Sequence, residues 1–199
     1  MDVRAFVQAR MSSRRFPGKV LASLRGRPVI DHVVDRLASV LPVVVATSTD
    51  RTDDPLACHL QNRGVDCFRG PLDDVFQRFR LCLEQNPCRW FVRISADSPM
   101  MDPEIVRRAV SHAHRTDLDL VTNVHPRSFP RGRSVEMILS ETYARIRPET
   151  DEEREHVTPA YYRHPERYRI LNLVSDDAAQ ASENLCGDTP EDLRRLEAL

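Results

Sequence analysis

Along the chain, short β-branched apolar runs alternate with longer stretches whose apolar residues recur at helical spacing. Residues 3–8 read as a short buried strand, and the polar segment 9–19 that follows contains Pro17 and Gly18, which oppose a regular helix. From Pro28 onward, Val29, Ile30, Val33, Val34, Leu37, Val40 and Leu41 keep helical spacing until Pro42, which precedes the run Val43, Val44, Val45. A βαβ unit is predicted. The rhythm repeats with a helix over 55–63 ended by Gly64, a strand over 66–69 and a helix over 73–85 with Val75, Phe76, Phe79 and Leu83 inward. Next come a strand over 90–94, a helix over 103–114 and a strand over 118–122. Such alternation implies a parallel sheet whose right-handed crossovers place helices on both faces.

After Asn123 the rhythm breaks. A loop rich in Pro and Arg, 125–133, leads to a strand over 135–139, a helix over 141–147, a second helix over 151–164 and a strand over 168–173. Residues 122–164 therefore read as an excursion from the core sheet. A closing helix over 190–199 takes Thr189 as its N-cap. No internal repeat or low-complexity linker divides residues 1–199, so a single domain is expected.

Composition narrows the classes. The chain has 199 residues, 41% hydrophobic and 30% charged, and a chain of this size needs neither disulfides nor a structural metal for stability. Its 29 Lys and Arg against 30 Asp and Glu give a net charge of -1, which argues against a general nucleic-acid or anionic-membrane binder. Any basic site must be local. Lys19 is the only lysine, a feature that high-GC coding bias explains as well as function does. No apolar run approaches the roughly 20 residues that cross a bilayer, and residues 1–10 lack a signal peptide's apolar core, so a cytoplasmic protein is expected. The five cysteines are never spaced CxxC, which suggests reduced packing residues rather than a disulfide framework or zinc knuckle.

Open parallel sheets bind ligands at the carboxyl ends of their strands, so the loops after the first strand and after Ile94 are where chemistry is expected. Four cations (Arg10, Arg14, Arg15, Lys19) and two hydroxyls (Ser12, Ser13) crowd the first loop. That set suits a polyphosphate, because charge-assisted hydrogen bonds contribute about 1.5–3 kcal/mol each. It equally fits a solvated basic loop. No glycine follows the first strand before Gly18, and Ser13 stands where a P-loop needs its first glycine, which disfavours dinucleotide and Walker-type sites.

Residues 9–19, AlaArgMetSerSerArgArgPheProGlyLys, resemble the ARxxSxRxPGK motif of the sugar-acid cytidylyltransferases. Four further stretches, 68–75, 93–99, 153–159 and 187–193, resemble the spore-coat polysaccharide (SpsF-like) branch of that group, so the likeness covers nearly the whole chain. The resemblance implies a three-layer α/β/α Rossmann-like nucleotide-diphospho-sugar transferase fold, GT-A-like, with a mostly parallel sheet. It implies an enzyme that transfers CMP from CTP to a sugar, sugar-acid or phosphonate acceptor and releases pyrophosphate. Arg10, Lys19 and Asp97 would be catalytic, and Ala9, Arg10, Ser13, Arg15, Lys19 and Asp73 would bind the nucleotide. Asp97 and Asp188 would hold Mg²⁺, a hard cation that takes one or two carboxylates beside phosphate oxygens and water. Taken without the likeness, Asp97 reads as a turn residue and Asp188 as part of a helix start. Asp73, Asp74 and Arg78 would edge the pocket, or simply cap a helix. A homodimer through 122–164 is expected by the same resemblance, although Met137, Ile138, Leu139 and Tyr143 can equally pack within the chain.

The larger departures from the branch pattern fall on the acceptor side. Ser12 and Ala96 replace glycines, and residues 129–136 resemble FPDGxDVE but carry Arg131 and Ser134 in place of both aspartates. Arg131, Arg133, Glu136 and His156 are the candidate acceptor residues, with the two arginines suited to a carboxylate, phosphate or phosphonate; an exposed arginine loop reads the same. Three alternatives remain: a GT-A-like glycosyltransferase, for which Asp97-Ser98-Pro99 lacks a DxD pair; a nucleotidyltransferase for another base; and a non-catalytic nucleotide-binding paralogue.

Overall fold

The computed structural model describes residues 2–199. Strand β1 (Val3–Gln8) alternates cleanly, with Val3, Ala5 and Val7 in one apolar core and Phe6 in the other. A short hairpin, β2 (Ser23–Leu24) and β3 (Arg27–Pro28), leads into α1 (Val29–Ala38). Then follow β4 (Val43–Ser48), α2 (Asp54–Asn62), β5 (Asp66–Gly70), α3 (Val75–Gln85), β6 (Trp90–Ser95) and α4 (Pro103–Val110). The remaining elements are β7 (Leu120–Thr122), β8 (Glu136–Leu139), α5 (Ser140–Arg145), α6 (Asp151–Glu155), α7 (Pro159–Arg163), β9 (Ile170–Asn172) and α8 (Pro190–Glu197).

Seven strands form one sheet in the order β5-β4-β1-β6-β8-β7-β9. Only β8 runs against its neighbours, antiparallel to both β6 and β7, so the mostly parallel sheet is as expected. One face packs on α1, α2 and α4 through Ile30, Val33, Leu37, Leu56, Leu60, Ile105 and Val106. The other face packs on α3, α5 and α7 through Phe76, Phe79, Tyr143 and Tyr161, with Phe6 and Phe91 stacked at 5.2 Å between them. This is the three-layer α/β/α arrangement. A small third cluster, Leu24, Val29, Leu185, Leu193 and Leu196, docks the hairpin on α8. Thr189 caps α8 as expected, in a reciprocal capping box with Asp192.

Two expectations need correction. The helix expected over 151–164 is two short helices, because Pro159 lacks an N–H and its ring would strike the carbonyl of Glu155 four residues earlier. His156 therefore sits beyond the helix, in extended backbone at φ -123 and ψ 155. The strand expected over 168–173 shrinks to Ile170–Asn172, since Pro165–Arg167 form a 3-10 turn up to Tyr168. The apolar residues of the excursion are used inside the chain: Met137, Ile138 and Tyr143 are fully buried. No helix of the described residues is long and apolar enough to cross a membrane.

Candidate functional site

At the carboxyl end of β1 the loop 9–18 holds its shape with few glycines. The Gly18 N–H donates to the Met11 carbonyl at 2.8 Å, the Ser13 N–H donates to the same carbonyl at 2.9 Å, and Ser13 Oγ accepts from the Phe16 N–H. Gly18 takes φ +75, where an L side chain is strained, and so starts the 3-10 turn Lys19–Leu21 that presents Lys19. The base of the loop is pinned by Asp53, which is fully buried. Its Oδ1 accepts from the Met11 N–H at 2.6 Å, and its Oδ2 accepts from the Thr47 hydroxyl at 2.9 Å, the Ser48 N–H at 3.0 Å and the Ser48 hydroxyl. Sequence reasoning passed over Asp53 because it lies in a polar run, Ser48 to Asp54, that reads as a surface turn; the hydroxyl pair ending a buried strand was the available signal.

Lys19 lies between the two aspartates singled out from the sequence. Its Nζ donates to Asp97 Oδ2 at 2.5 Å and to Asp188 Oδ1 at 2.7 Å, while Arg15 Nη2 reaches Asp188 Oδ2 at 2.8 Å. Asp97 follows the end of β6 and Asp188 precedes the α8 cap; the Gly187 N–H donates to the Asp97 carbonyl at 2.8 Å, which ties the two distant loops together. Burial opposes the charged form of Lys19, yet the charge of Asp97 and bonds from both aspartates raise its pKa above the ordinary lysine value. For Asp188, burial is likewise outweighed, by the hydrogen bond and charge of Lys19 and then by Arg15, so its pKa lies below the usual carboxylate value.

These groups open on a cleft of about 480 Å³. Of the residues named from the sequence, it brings together Ala9, Arg10, Ser13, Arg15, Lys19, Asp97, Arg131, Glu136, His156 and Asp188. Two are left out. Asp73 lines a smaller adjoining hollow with Arg10, Ser12, Arg14 and Asp74, and Arg133 is not on the cleft's lining. Arg78, expected at the pocket's edge, is instead fully buried and its guanidinium nitrogens find no hydrogen-bond partner among the described residues. Burial pulls its pKa down to about 10, against the opposing charge of Asp53.

The opposite wall is built by β6, β8 and the loop 125–134. Arg93 and Glu136 are cross-strand partners, joined at 2.5 Å, and Arg93 also donates to Gln8 Oε1 at 2.9 Å. Glu136 accepts a further bond from Tyr162 at 2.5 Å, so both of its oxygens are engaged. Arg127, which the sequence reading missed, joins Arg131 on this wall and donates to the Ser134 hydroxyl at 3.1 Å. Arg131 is fixed by its backbone, donating to the Glu183 carbonyl at 3.0 Å and accepting from the Leu185 N–H at 2.7 Å. Gly132 follows at φ +92 against the Leu185 backbone, where a Cβ would come within 2.6 Å. Cys186, read as a packing residue, also faces the cleft.

The donor set limits what could bind. Among the described residues no group of three or more His, Cys, Asp or Glu could hold a metal by itself. Asp97 and Asp188 supply hard carboxylate oxygens within reach of one ammonium. That pair fits a Mg²⁺-like ion completing its shell with phosphate and water, and not a zinc-type cage.

Known proteins resemble this chain along nearly its whole length. Residues 5–199 match the family model described as cytidylyltransferase. The spore coat polysaccharide biosynthesis protein SpsF of Bacillus subtilis is 31% identical over 206 residues, spanning 100% of this chain and 86% of its own length. A cytidylyltransferase structure from Leptospira borgpetersenii superposes with a TM-score of 0.92 at 26% identity, covering 100% of this chain and 86% of that one. A CMP:2-keto-3-deoxy-manno-octonic acid synthetase solved with CTP superposes with a TM-score of 0.70 at 18% identity over 100% and 98% of the two chains, which shows a shared fold.

Proposed function

The chain belongs to the cytidylyltransferase family and is a nucleotidyltransferase; from that premise we propose that it transfers CMP from CTP to a small acceptor and releases pyrophosphate. The observation that carries this reading is the cluster of Lys19, Arg15, Asp97 and Asp188 at the carboxyl edge of the sheet, in a cleft wide enough for a nucleotide. In this reading an acceptor oxygen attacks the α-phosphorus. Arg10, Arg15 and Lys19 hold the triphosphate and stabilise the charge passing to the leaving pyrophosphate, with Ala9 and Ser13 shaping the loop. Asp97 and Asp188 would hold Mg²⁺, which when bound supplies charge neutralisation between phosphate oxygens. Catalysis then rests on positioning and preorganised charge, with no covalent enzyme intermediate.

The acceptor belongs on the opposite wall. Arg127 and Arg131 line it without an acidic partner among the described residues, which supports an acceptor bearing an anionic group, a carboxylate or a phosphonate. Arg127 thus takes the place proposed for Arg133. Glu136, held by Arg93 and Tyr162, shapes this wall, and His156 flanks it. Asp73 reaches the nucleotide only through the adjoining hollow. One continuous sheet supports treating residues 1–199 as a single domain, and a cytoplasmic location goes with the same reading. A homodimer through 122–164 would have to use a largely polar surface, since most of that segment's large apolar residues are buried internally. The test is pyrophosphate release from CTP and Mg²⁺ across a panel of neutral sugars, sugar acids and phosphonates. Release with an anionic acceptor is expected; release with none, from any nucleoside triphosphate, would overturn the assignment.

A further inference from the structure

We propose that Lys19 is the resident counter-ion of the Asp97–Asp188 pair, and that the metal site opens only when a nucleotide's phosphates draw its ammonium off the two carboxylates. The inference rests on the reading above for the identity of the nucleotide, but its first half concerns the nucleotide-free protein alone.

The geometry of the cluster carries it. Lys19 Nζ touches one oxygen of each aspartate, at 2.5 and 2.7 Å, and the three side chains are shielded, with 12%, 18% and 9% of their surface exposed for Lys19, Asp97 and Asp188. A divalent ion of the Mg²⁺ class needs carboxylate oxygens at about 2.0–2.1 Å, so on these two oxygens it competes in space and charge with the ammonium already seated on both. Arg15 differs from Lys19 in each respect: it holds only Asp188, through the other oxygen, and its side chain is 64% exposed. Lys19 alone therefore stands where the metal would.

Charge gives the same order of events. Two carboxylates facing Lys19 and Arg15 are balanced, and a bare divalent ion added to them leaves an uncompensated excess in a shielded site. A triphosphate removes that excess. It offers the ammonium a new anionic partner, and it brings the further oxygens that the metal needs. The carboxylates stay together meanwhile, because the Gly187 N–H bond to the Asp97 carbonyl joins their loops independently of Lys19. The unbranched lysine stem supplies the motion, while Gly18 and the 3-10 turn fix its root.

Since Lys19 is the only lysine, protein made with [¹⁵Nζ]lysine reports this one ammonium as a single side-chain signal. That signal should stay unchanged when Mg²⁺ alone is added and move when a non-hydrolysable CTP analogue is added with Mg²⁺. Mn²⁺ binding, read by electron paramagnetic resonance without nucleotide, should be about tenfold tighter or more in Lys19→Met than in the wild type. Arg15→Met, which removes an equal charge from the same aspartate, should gain less than about threefold, and Asp97→Asn in the Lys19→Met background should abolish the gain. The idea is overturned if Mg²⁺ alone shifts the lysine signal, if Lys19→Met binds Mn²⁺ no more tightly, or if Arg15→Met gains as much. The wild-type signal decides the matter even if Lys19→Met does not fold. Tighter Mn²⁺ binding in Lys19→Met by a protein that takes up no CTP would support the counter-ion role while removing the proposed reaction, so the two can fail separately.

Discussion

The two walls of the cleft differ in how most of their cations are matched. On the loop side, Lys19 and Arg15 are already matched to Asp97 and Asp188 and Arg10 lies 4.0 Å from Glu155, with Arg14 the one lining cation there that has no acidic partner among the described residues. On the far side, Arg93 is matched to Glu136, but Arg127 and Arg131 have no recorded acidic partner among the described residues. Paired cations are gathered at the site before any ligand comes, each within a side-chain movement of an arriving phosphate. Unpaired cations at a cleft edge wait for an anion. On the proposed reading, the paired wall would carry the reaction common to the family, and the unpaired wall would carry what distinguishes one acceptor from another.

Breaking the paired wall should have the largest effect. Lys19→Ala or Arg10→Ala is expected to lower kcat by about 10² or more, the scale of losing one transition-state donor, as measured by steady-state pyrophosphate release. Loosening the root of that wall comes next. Asp53→Ala strands the Met11 and Ser48 N–H groups, and denaturant unfolding should show a loss of about 1–3 kcal/mol together with a raised KM for CTP. On the unpaired wall, Arg127→Ala and Arg131→Ala should each raise the acceptor KM about tenfold while kcat and the KM for CTP hold, a split that a merely structural role would not give.

The smallest effect is on pH dependence. Asp188 has a depressed pKa, so its stabilising contribution is full above the ordinary value of 3.8 and is lost as pH falls through its lower folded value. Lys19 has a raised pKa, so its contribution is full below the ordinary 10.5 and is lost as pH rises through its higher folded value. Melting curves across pH should therefore show an acid limb that flattens in Arg15→Met and is untouched in Arg127→Ala. Equal flattening in both would erase the distinction between the walls.

Much of this was legible in the residues. The paired wall is a local motif: β1 and its loop are contiguous from Val3 to Lys19, and strand alternation and the Pro17-Gly18 pair mark both ends. Asp97 and Asp188 were joined as one Mg²⁺ pair only through the family resemblance; no local pattern joins them, because their meeting depends on the Gly187 bond across 90 positions of chain. The unpaired wall was harder to read. It is assembled from β6, an antiparallel β8 inserted between parallel strands, and a loop in which the sequence reading took Arg133 and passed over Arg127. No periodicity in 125–133 distinguishes an arginine that faces the cleft from one that does not. Charged residues inside otherwise apolar strands, Arg93 in β6 and Glu136 in β8, were the one local sign of the pairing behind that wall. The break at His156 follows from Pro159 and was readable, but the helix-compatible residues before it masked the stop.

If the paired wall is a cytidine triphosphate site, CTP must stabilise the folded protein through it. The most direct measurement is the melting temperature of the protein with Mg²⁺ and each of CTP, UTP, GTP and ATP, in the wild type and in Lys19→Ala, since a ligand specific for the folded state must stabilise it. A rise with CTP alone that disappears in Lys19→Ala is expected. No rise with any triphosphate, or a CTP rise that survives in Lys19→Ala, would contradict that assignment.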